Sequence, residues 1–261
     1  MKKKAKLLET TYDGEEMQVL DIMEFIVQCT KRKSYRHTSE LSCYRMSAHI
    51  FDLILNDTSL QMIDGENCSQ ATKTAQQDNQ RICSDDDDTK KLIGRKIDLI
   101  IAKYGVELSS SEWKKSQTTP ATIEQQRVKN FRSNCAILNK ILNLPINDAS
   151  EIHTLGMDWL GMVGCMYAFD TYENIFSIHY AGDLVIPENI GTLYLLKETL
   201  DLLYSFKHHH VNLSRSIQSS VEKSKIADQL RKLRPEPIRT KREIGPVVFF
   251  TPSKRQKKTT K

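Results

Sequence analysis

The sequence predicts a mixed α/β protein, a central mixed sheet flanked by helices and followed by a basic tail. Three observations predict it. Four stretches repeat apolar residues at three- and four-residue spacing, and short apolar runs bounded by turn residues lie between them, so long helices interleave with strands. Hydrophobic residues make up 39% and charged residues 27%, enough apolar material for a core, which excludes wholesale disorder. With 10 Gly and 7 Pro in 261 residues, collagen-like and low-complexity classes are also excluded. The third observation is charge. Residues 222–261 hold thirteen Lys/Arg against four Asp/Glu, so +9 of charge sits in the tail and residues 1–221 carry −4 of the total +5. The body is mildly acidic and is not itself an evident nucleic-acid platform.

The elements follow in order. Met17, Leu20, Met23, Ile26 and Val27 mark an amphipathic helix over 15–30. Ser39 is the expected N-cap of a second helix to about 56, with Leu41, Tyr44, Ala48, Phe51 and Leu55 as its buried face. A strand is expected over 60–66. Residues 67–91 are polar and read as a loop with a short helix near 71–80. Their four-aspartate run 85–88 lacks the spacing of a calcium loop and reads as a solvated acidic segment. A hairpin over 94–113 turns at Tyr104-Gly105, and a helix over 122–144 begins near Pro120 and stops at Pro145, packing through Val128, Phe131, Cys135, Leu138 and Leu142. Two or three strands fill 158–186, and a last helix is expected over 190–209. The expected organisation is a helical extension over 1–34, an α/β domain over 35–220, and a disordered basic tail over 221–261. Within the tail a helical extension near 223–233 and a short docking segment in Pro246–Thr251 are allowed for.

Chemistry concentrates in the hairpin, GRKIDLIIAKYGVELSSSEWKK. A two-residue turn pairs Lys103 with Val106, Ile101 with Leu108 and Asp98 with Ser111. That register puts Ile97, Leu99, Ile101, Val106 and Leu108 on one face, and Asp98, Glu107, Ser109 and Ser111 on the other, with Ile100 as the exception. Two acids on one sheet face are costly if buried alone, and a divalent cation contacting phosphate is a physical resolution. Glu112 and Lys114 share a side, but strict alternation sets it opposite Asp98. They join the site only through a bulge.

An acid on one strand and Glu-x-Lys on the next, in a helix–strand–hairpin–helix–strand frame, resembles the PD-(D/E)XK nuclease superfamily. The phrases IDGENCS, GRKIDLII, VELSSSEWKK and KNFRSN are similar to an abundant family of uncharacterised fungal proteins, over about residues 35–210. The resemblance implies a Mg2+-dependent phosphodiesterase acting on DNA. Asp98 and Glu107 would hold the metal, with Glu112 assisting and Lys114 supporting the attacking water. Glu107 is followed at the second position by Ser109 where the motif has Lys, and Ile97 stands where it has Pro. Glu66 and Glu40 are further carboxylates within reach of such a site, and the polar surface Gln125, Gln126, Lys129, Asn130 and Arg132 is read as a solvated helix face or as facing the site. The alternative is a non-catalytic nuclear interaction or regulatory protein on a degenerate scaffold of this kind, favoured by the acidic body.

The six cysteines are spread singly without metal-ligand spacing and read as reduced. His208–His210, expected at a helix end, cannot all face one metal. No P-loop, GxGxxG, GxSxG or HExxH occurs. No apolar run is long enough to span a bilayer, so no membrane association is expected, and the N-terminus lacks the apolar core of a secretory signal. The cluster Lys254, Arg255, Lys257 and Lys258, with a second at 239–242, reads as a nuclear targeting signal for the import machinery. The expected location is the nucleus, with the cytoplasm as alternative.

Overall fold

Six strands form one mixed sheet in sequential order in the computed structural model, which describes residues 14–31, 39–65, 67–83, 92–146, 148–233 and 246–250. Helices α1 (Glu15–Lys31) and α2 (Glu40–Leu55) precede strand β1 (Gln61–Asp64) and helix α3 (Gln70–Cys83). The hairpin β2 (Leu99–Lys103) and β3 (Val106–Lys114) leads into helix α4 (Pro120–Leu142). Strands β4 (Thr154–Leu160), β5 (Val163–Tyr172) and β6 (Ile175–Val185) are followed by a 3-10 turn and helix α5 (Leu196–Leu233). All neighbours are antiparallel except β3 and β4, whose parallel pairing is made possible by the α4 crossover. The mixed α/β class is therefore as expected, and no helix among the described residues is long and apolar enough to cross a membrane.

Two cores sandwich the sheet. On one side Ile22 and Ile26 of α1, Ile50 and Phe51 of α2, and Leu203 and Phe206 of α5 pack on Leu99, Ile101, Trp113 and Trp159. The two indoles stack at 5.8 Å, nearly parallel at 7°, and Trp113 Nε1 donates to Ser47 Oγ at 3.2 Å. On the other side Ile137, Leu138 and Ile141 of α4 pack with Ala71 of α3, Leu108, Phe169, and Leu213 and Ile217 of α5. The buried face of α2 is wider than the expected one: Phe51 and Leu55 are buried as expected and Tyr44 and Ala48 are half-buried, Leu41 is exposed, and Cys43, Met46, Ser47, Ile50 and Ile54 are buried as well, because the helix meets both α1 and the sheet.

Helix α4 enters the sheet through amides rather than methyls. Asn134 Oδ1 accepts from Ser110 N at 2.8 Å, and its Nδ2 donates to Ser110 O at 3.0 Å, so one side chain satisfies both main-chain groups of a central-strand residue. Asn130 accepts from Ser110 Oγ at 3.0 Å and donates to Met157 O at 2.9 Å. Room for this comes from Gly156, where a Cβ would lie 2.6 Å from Asn134 Nδ2 and 2.8 Å from Ser110 O. Phe131, expected in the core, is half-buried and edge-on to Tyr167 and Phe169, with ring centroids 4.8 and 5.6 Å away.

The last helix runs well past its expected end near 209, to Leu233. Leu213, Ile217 and Val221 carry the apolar stripe onward into the second core, and Ser220 Oγ donates to Pro145 O at 3.0 Å. His208–His210 thus stand mid-helix. Within the expected tail, residues 246–250 lie against α3: Asn79 Nδ2 donates to Val248 O and Asn79 Oδ1 accepts from Phe250 N, both at 2.9 Å, and Val248 is buried. The docking segment therefore docks on its own chain. The acidic run 85–88, Glu66 and the basic residues Lys254, Arg255, Lys257 and Lys258 lie outside the described residues, as do 234–245.

Candidate functional site

The hairpin turns at Tyr104-Gly105 with φ of 56° and 81°, the paired positive values of a tight turn whose twist suits the flanking strands. Lys103 pairs with Val106 as expected. The register then slips: Ala102 faces Glu107 and Ile101 faces Ser109, leaving Leu108 as the extra residue of a bulge. Beyond it Ile100 faces Ser110 and Leu99 faces Ser111, one residue displaced from the expected pairing. The expected grouping of apolar residues fails for this reason. Leu99 and Ile101 enter the core beneath α2, whereas Val106 and Leu108 enter the core beneath α4.

The two acids expected to cooperate stand apart along the hairpin, and would do so in either register. Glu107 stands opposite Ala102, four residues along from Asp98, which is about 13 Å at the usual strand rise. Its carboxylate is fully engaged at the start of α3, accepting from Ser69 Oγ at 2.8 Å, Gln70 N at 2.6 Å and Ala71 N at 3.0 Å. A buried carboxylate on the first amides of a helix satisfies orphan donors and complements the dipole, which makes Glu107 an anchor for α3. Glu107→Ala is expected to cost roughly 2 to 3 kcal/mol, the scale of charged hydrogen bonds, and to accelerate amide exchange across 70–83. Exchange there unchanged from wild type would remove that anchoring role.

The same bulge brings Asp98 beside Glu112. One position beyond the Leu99–Ser111 pair, Asp98 flanks Glu112 on the β2 side, and Asp158 of β4 pairs with Glu112 on the other. Three carboxyls therefore lie in a row, Asp98 just before β2, Glu112 on β3 and Asp158 on β4. Asp98 Oδ2 accepts from Trp113 N at 2.7 Å, and burial raises its pKa. Burial pushes Glu112 up to about 7, with the charges of Asp98 and Asp158 adding to the rise and those of Arg95 and Lys114 opposing it. Asp158 is pushed up to about 6 by burial against the pull of Asn130, whose Nδ2 donates to its Oδ1 at 2.9 Å.

Cations border the row. Arg95 reaches Glu112 Oε1 at 2.9 Å through Nη2 and Ser133 Oγ at 2.9 Å through Nη1. Lys114 Nζ pairs with Glu40 Oε2 of α2 at 3.0 Å and donates to Trp113 O at 2.8 Å. Asp98, Glu112 and Lys114 thus share one region of the sheet and Glu107 does not. Among the described residues no group of three or more His, Cys, Asp or Glu side chains is placed to hold a metal ion. Gln126 and Asn130, on the helix surface whose reading was left open, are buried against the sheet and face the row.

Beyond Asp158 opens a cavity of about 380 Å³ between α4 and strands β4 to β6. Asp158 of the carboxylate row and Lys114 beside it both line this cavity. Comparison with protein-family models, with curated proteins and with solved structures finds no match to this chain.

Proposed function

We propose that the protein is a metal-dependent nucleic-acid phosphodiesterase of the PD-(D/E)XK kind, with Asp98 and Glu112 as the carboxylates that hold Mg2+ and Lys114 as the cation beside them. The observation that carries this reading is the bulge, because the shifted register brings the acid just before β2 alongside the Glu-x-Lys of β3. Mg2+ commonly binds through only one or two carboxylates and completes its shell with water and substrate phosphate, so a pair of acids without a third suits its chemistry. Their raised pKa values fit buried acids poised for a cation. The metal would supply charge neutralisation at the phosphate oxygens. Lys114 uses two of its three donors on Glu40 and Trp113, leaving one for a water or a phosphate oxygen.

A second reading has its own observation. Arg95 already gives Glu112 a cation at 2.9 Å, which is what an inert relative of such a fold would use in place of a metal. On that reading the protein is a non-catalytic interaction or regulatory module, and the nuclear destination of the basic tail is its main address.

Full-length protein incubated with plasmid and with labelled single- and double-stranded DNA separates the two. Mg2+-dependent cleavage is expected for the wild type, reduced at least about 100-fold in Asp98→Asn, Glu112→Gln and Lys114→Ala, the scale for losing one preorganised electrostatic group. Absence of both cleavage and calorimetric Mg2+ binding in the wild type would leave the second reading standing.

A further inference from the structure

Residues 246–250 lie along α3 as an extended strap, and one side chain holds their backbone. In an extended segment the carbonyl of one residue and the N–H two residues on point the same way. The Asn79 carboxamide takes both: Nδ2 donates to Val248 O and Oδ1 accepts from Phe250 N, each at 2.9 Å. Alternate side chains turn inward. Pro246 and Val248 are buried and Phe250 packs on the second core, whereas Val247 and Phe249 are exposed. A contact this short opens without unfolding the domain, because nearly all of the core lies elsewhere. The next four residues in the sequence are Thr251-Pro252-Ser253-Lys254. The other Thr-Pro pair, Thr119-Pro120, has no Lys or Arg at the matching place, and Thr119 is engaged as the N-cap of α4.

We propose that Thr251 is a phosphorylation site for a proline-directed protein kinase, and that docking of the 246–250 strap on α3 controls access to it. Thr-Pro-x-Lys is the pattern such kinases select: proline has a fixed φ and no N–H, and the lysine adds a charged contact. In the transfer, Thr251 Oγ1 attacks the γ-phosphorus of ATP. The Oγ1–P bond forms, the bond from that phosphorus to the bridging oxygen breaks, ADP leaves, and the hydroxyl proton passes to the kinase's aspartate. A kinase takes its substrate extended on both sides of the acceptor, so it competes with Asn79 for Val248 and Phe250. Docking and modification therefore exclude each other. Once attached, the phosphate adds a charge of about −1.5 to −2 one residue past Phe250, whose N–H is held at the C-terminal half of α3. That helix end is the negative pole, and its Arg81 is already paired with Asp78 at 3.3 Å, so the modified strap docks less well. None of these residues belongs to the carboxylate row, so the switch stands whether or not the protein cleaves DNA.

The test combines full-length protein, ATP, Mg2+ and a purified cyclin-dependent kinase, with the modified sites read by mass spectrometry. A synthetic peptide of residues 244–258 gives the unhindered rate. Thr251 in the wild type is expected to react at least about tenfold more slowly than in the peptide, since two hydrogen bonds and a buried valine hold the strap. Asn79→Ala and Val248→Ser, checked for folding by circular dichroism, should each approach the peptide's rate. Hydrogen exchange reads the reverse direction. The Phe250 N–H, protected in the unmodified chain, should exchange at least about tenfold faster once Thr251 carries phosphate, the reciprocity required of coupled equilibria. No transfer to Thr251 in the peptide, equal rates for wild type and peptide, or unchanged Phe250 protection after modification overturns the proposal. The comparison of wild type with peptide decides even if a variant fails to fold.

Discussion

Arg95→Leu is expected to cost about 3 to 5 kcal/mol of stability near pH 8, the scale for leaving one partner of a buried ion pair alone. The Glu112 side chain is only 7% exposed and stands between Asp98 and Asp158, so no other cation takes up its charge as directly. The same variant at pH 5 should lose far less, because Glu112 is then protonated in the native state. Urea unfolding at the two pH values measures the difference. Added Mg2+ at pH 8 should return part of the lost stability if the two acids hold a metal, and none if Arg95 is their permanent cation. An equal loss at both pH values would mean that Arg95 acts by packing and through Ser133, and would sink the electrostatic account of the row.

Where local chemistry decides, the fold was legible. Ser39 accepts from Ser42 N as an N-cap, Pro120 starts α4, and Tyr104-Gly105 turns the hairpin, each a position whose backbone geometry the residue type dictates. The bulge was not legible. Strand β3 reads Val-Glu-Leu-Ser-Ser-Ser-Glu-Trp, and three successive serines give no apolar contrast by which to fix the register past Leu108. The neighbour of Asp98 across the hairpin is therefore Glu112 and not the expected Ser111, and the bonds of Glu107 to a helix terminus 36 to 38 residues upstream are ones that only tertiary contact reveals.

Asp158 was missed for a different reason. It lies inside the apolar run Leu-Gly-Met-Asp-Trp-Leu, and its partner strand is brought alongside only by the α4 crossover. A signal did exist in α4. Gln126, Asn130 and Asn134 recur at four-residue spacing, one stripe of a helix, and side chains of that stripe are polar because they meet strand backbone and a carboxyl rather than solvent. Polar residues on a helix stripe are ordinarily read as solvated, so here the periodicity held while its usual meaning reversed.

Glu112→Gln is expected to shift the pH dependence of stability by roughly 3 kcal/mol relative to wild type between pH 4.5 and 8. Burial holds the native carboxyl at about 7 against an ordinary value of 4.5, so the folded protein binds this proton more tightly than the unfolded chain. The stability from that proton is fully present below pH 4.5 and is lost as pH rises through 7. Glutamine is neutral throughout and escapes the loss, so the variant gains on the wild type as pH increases. Any fixed cost of leaving Arg95 without its anion is the same at every pH. The buried His209 and His210, held at about 4 and about 3, pull stability the other way below pH 6.5, but they do so in both proteins and cancel in the comparison. Unfolding free energies of the two proteins across this range test the shift. A difference that does not change with pH would show that Glu112 is ionised normally and that the row stores no charge strain for a cation to relieve. If the strain is there, Mg2+ at pH 8 should stabilise the wild type and leave Glu112→Gln unmoved, because a neutral amide in the middle of the row removes both the repulsion and the ligand.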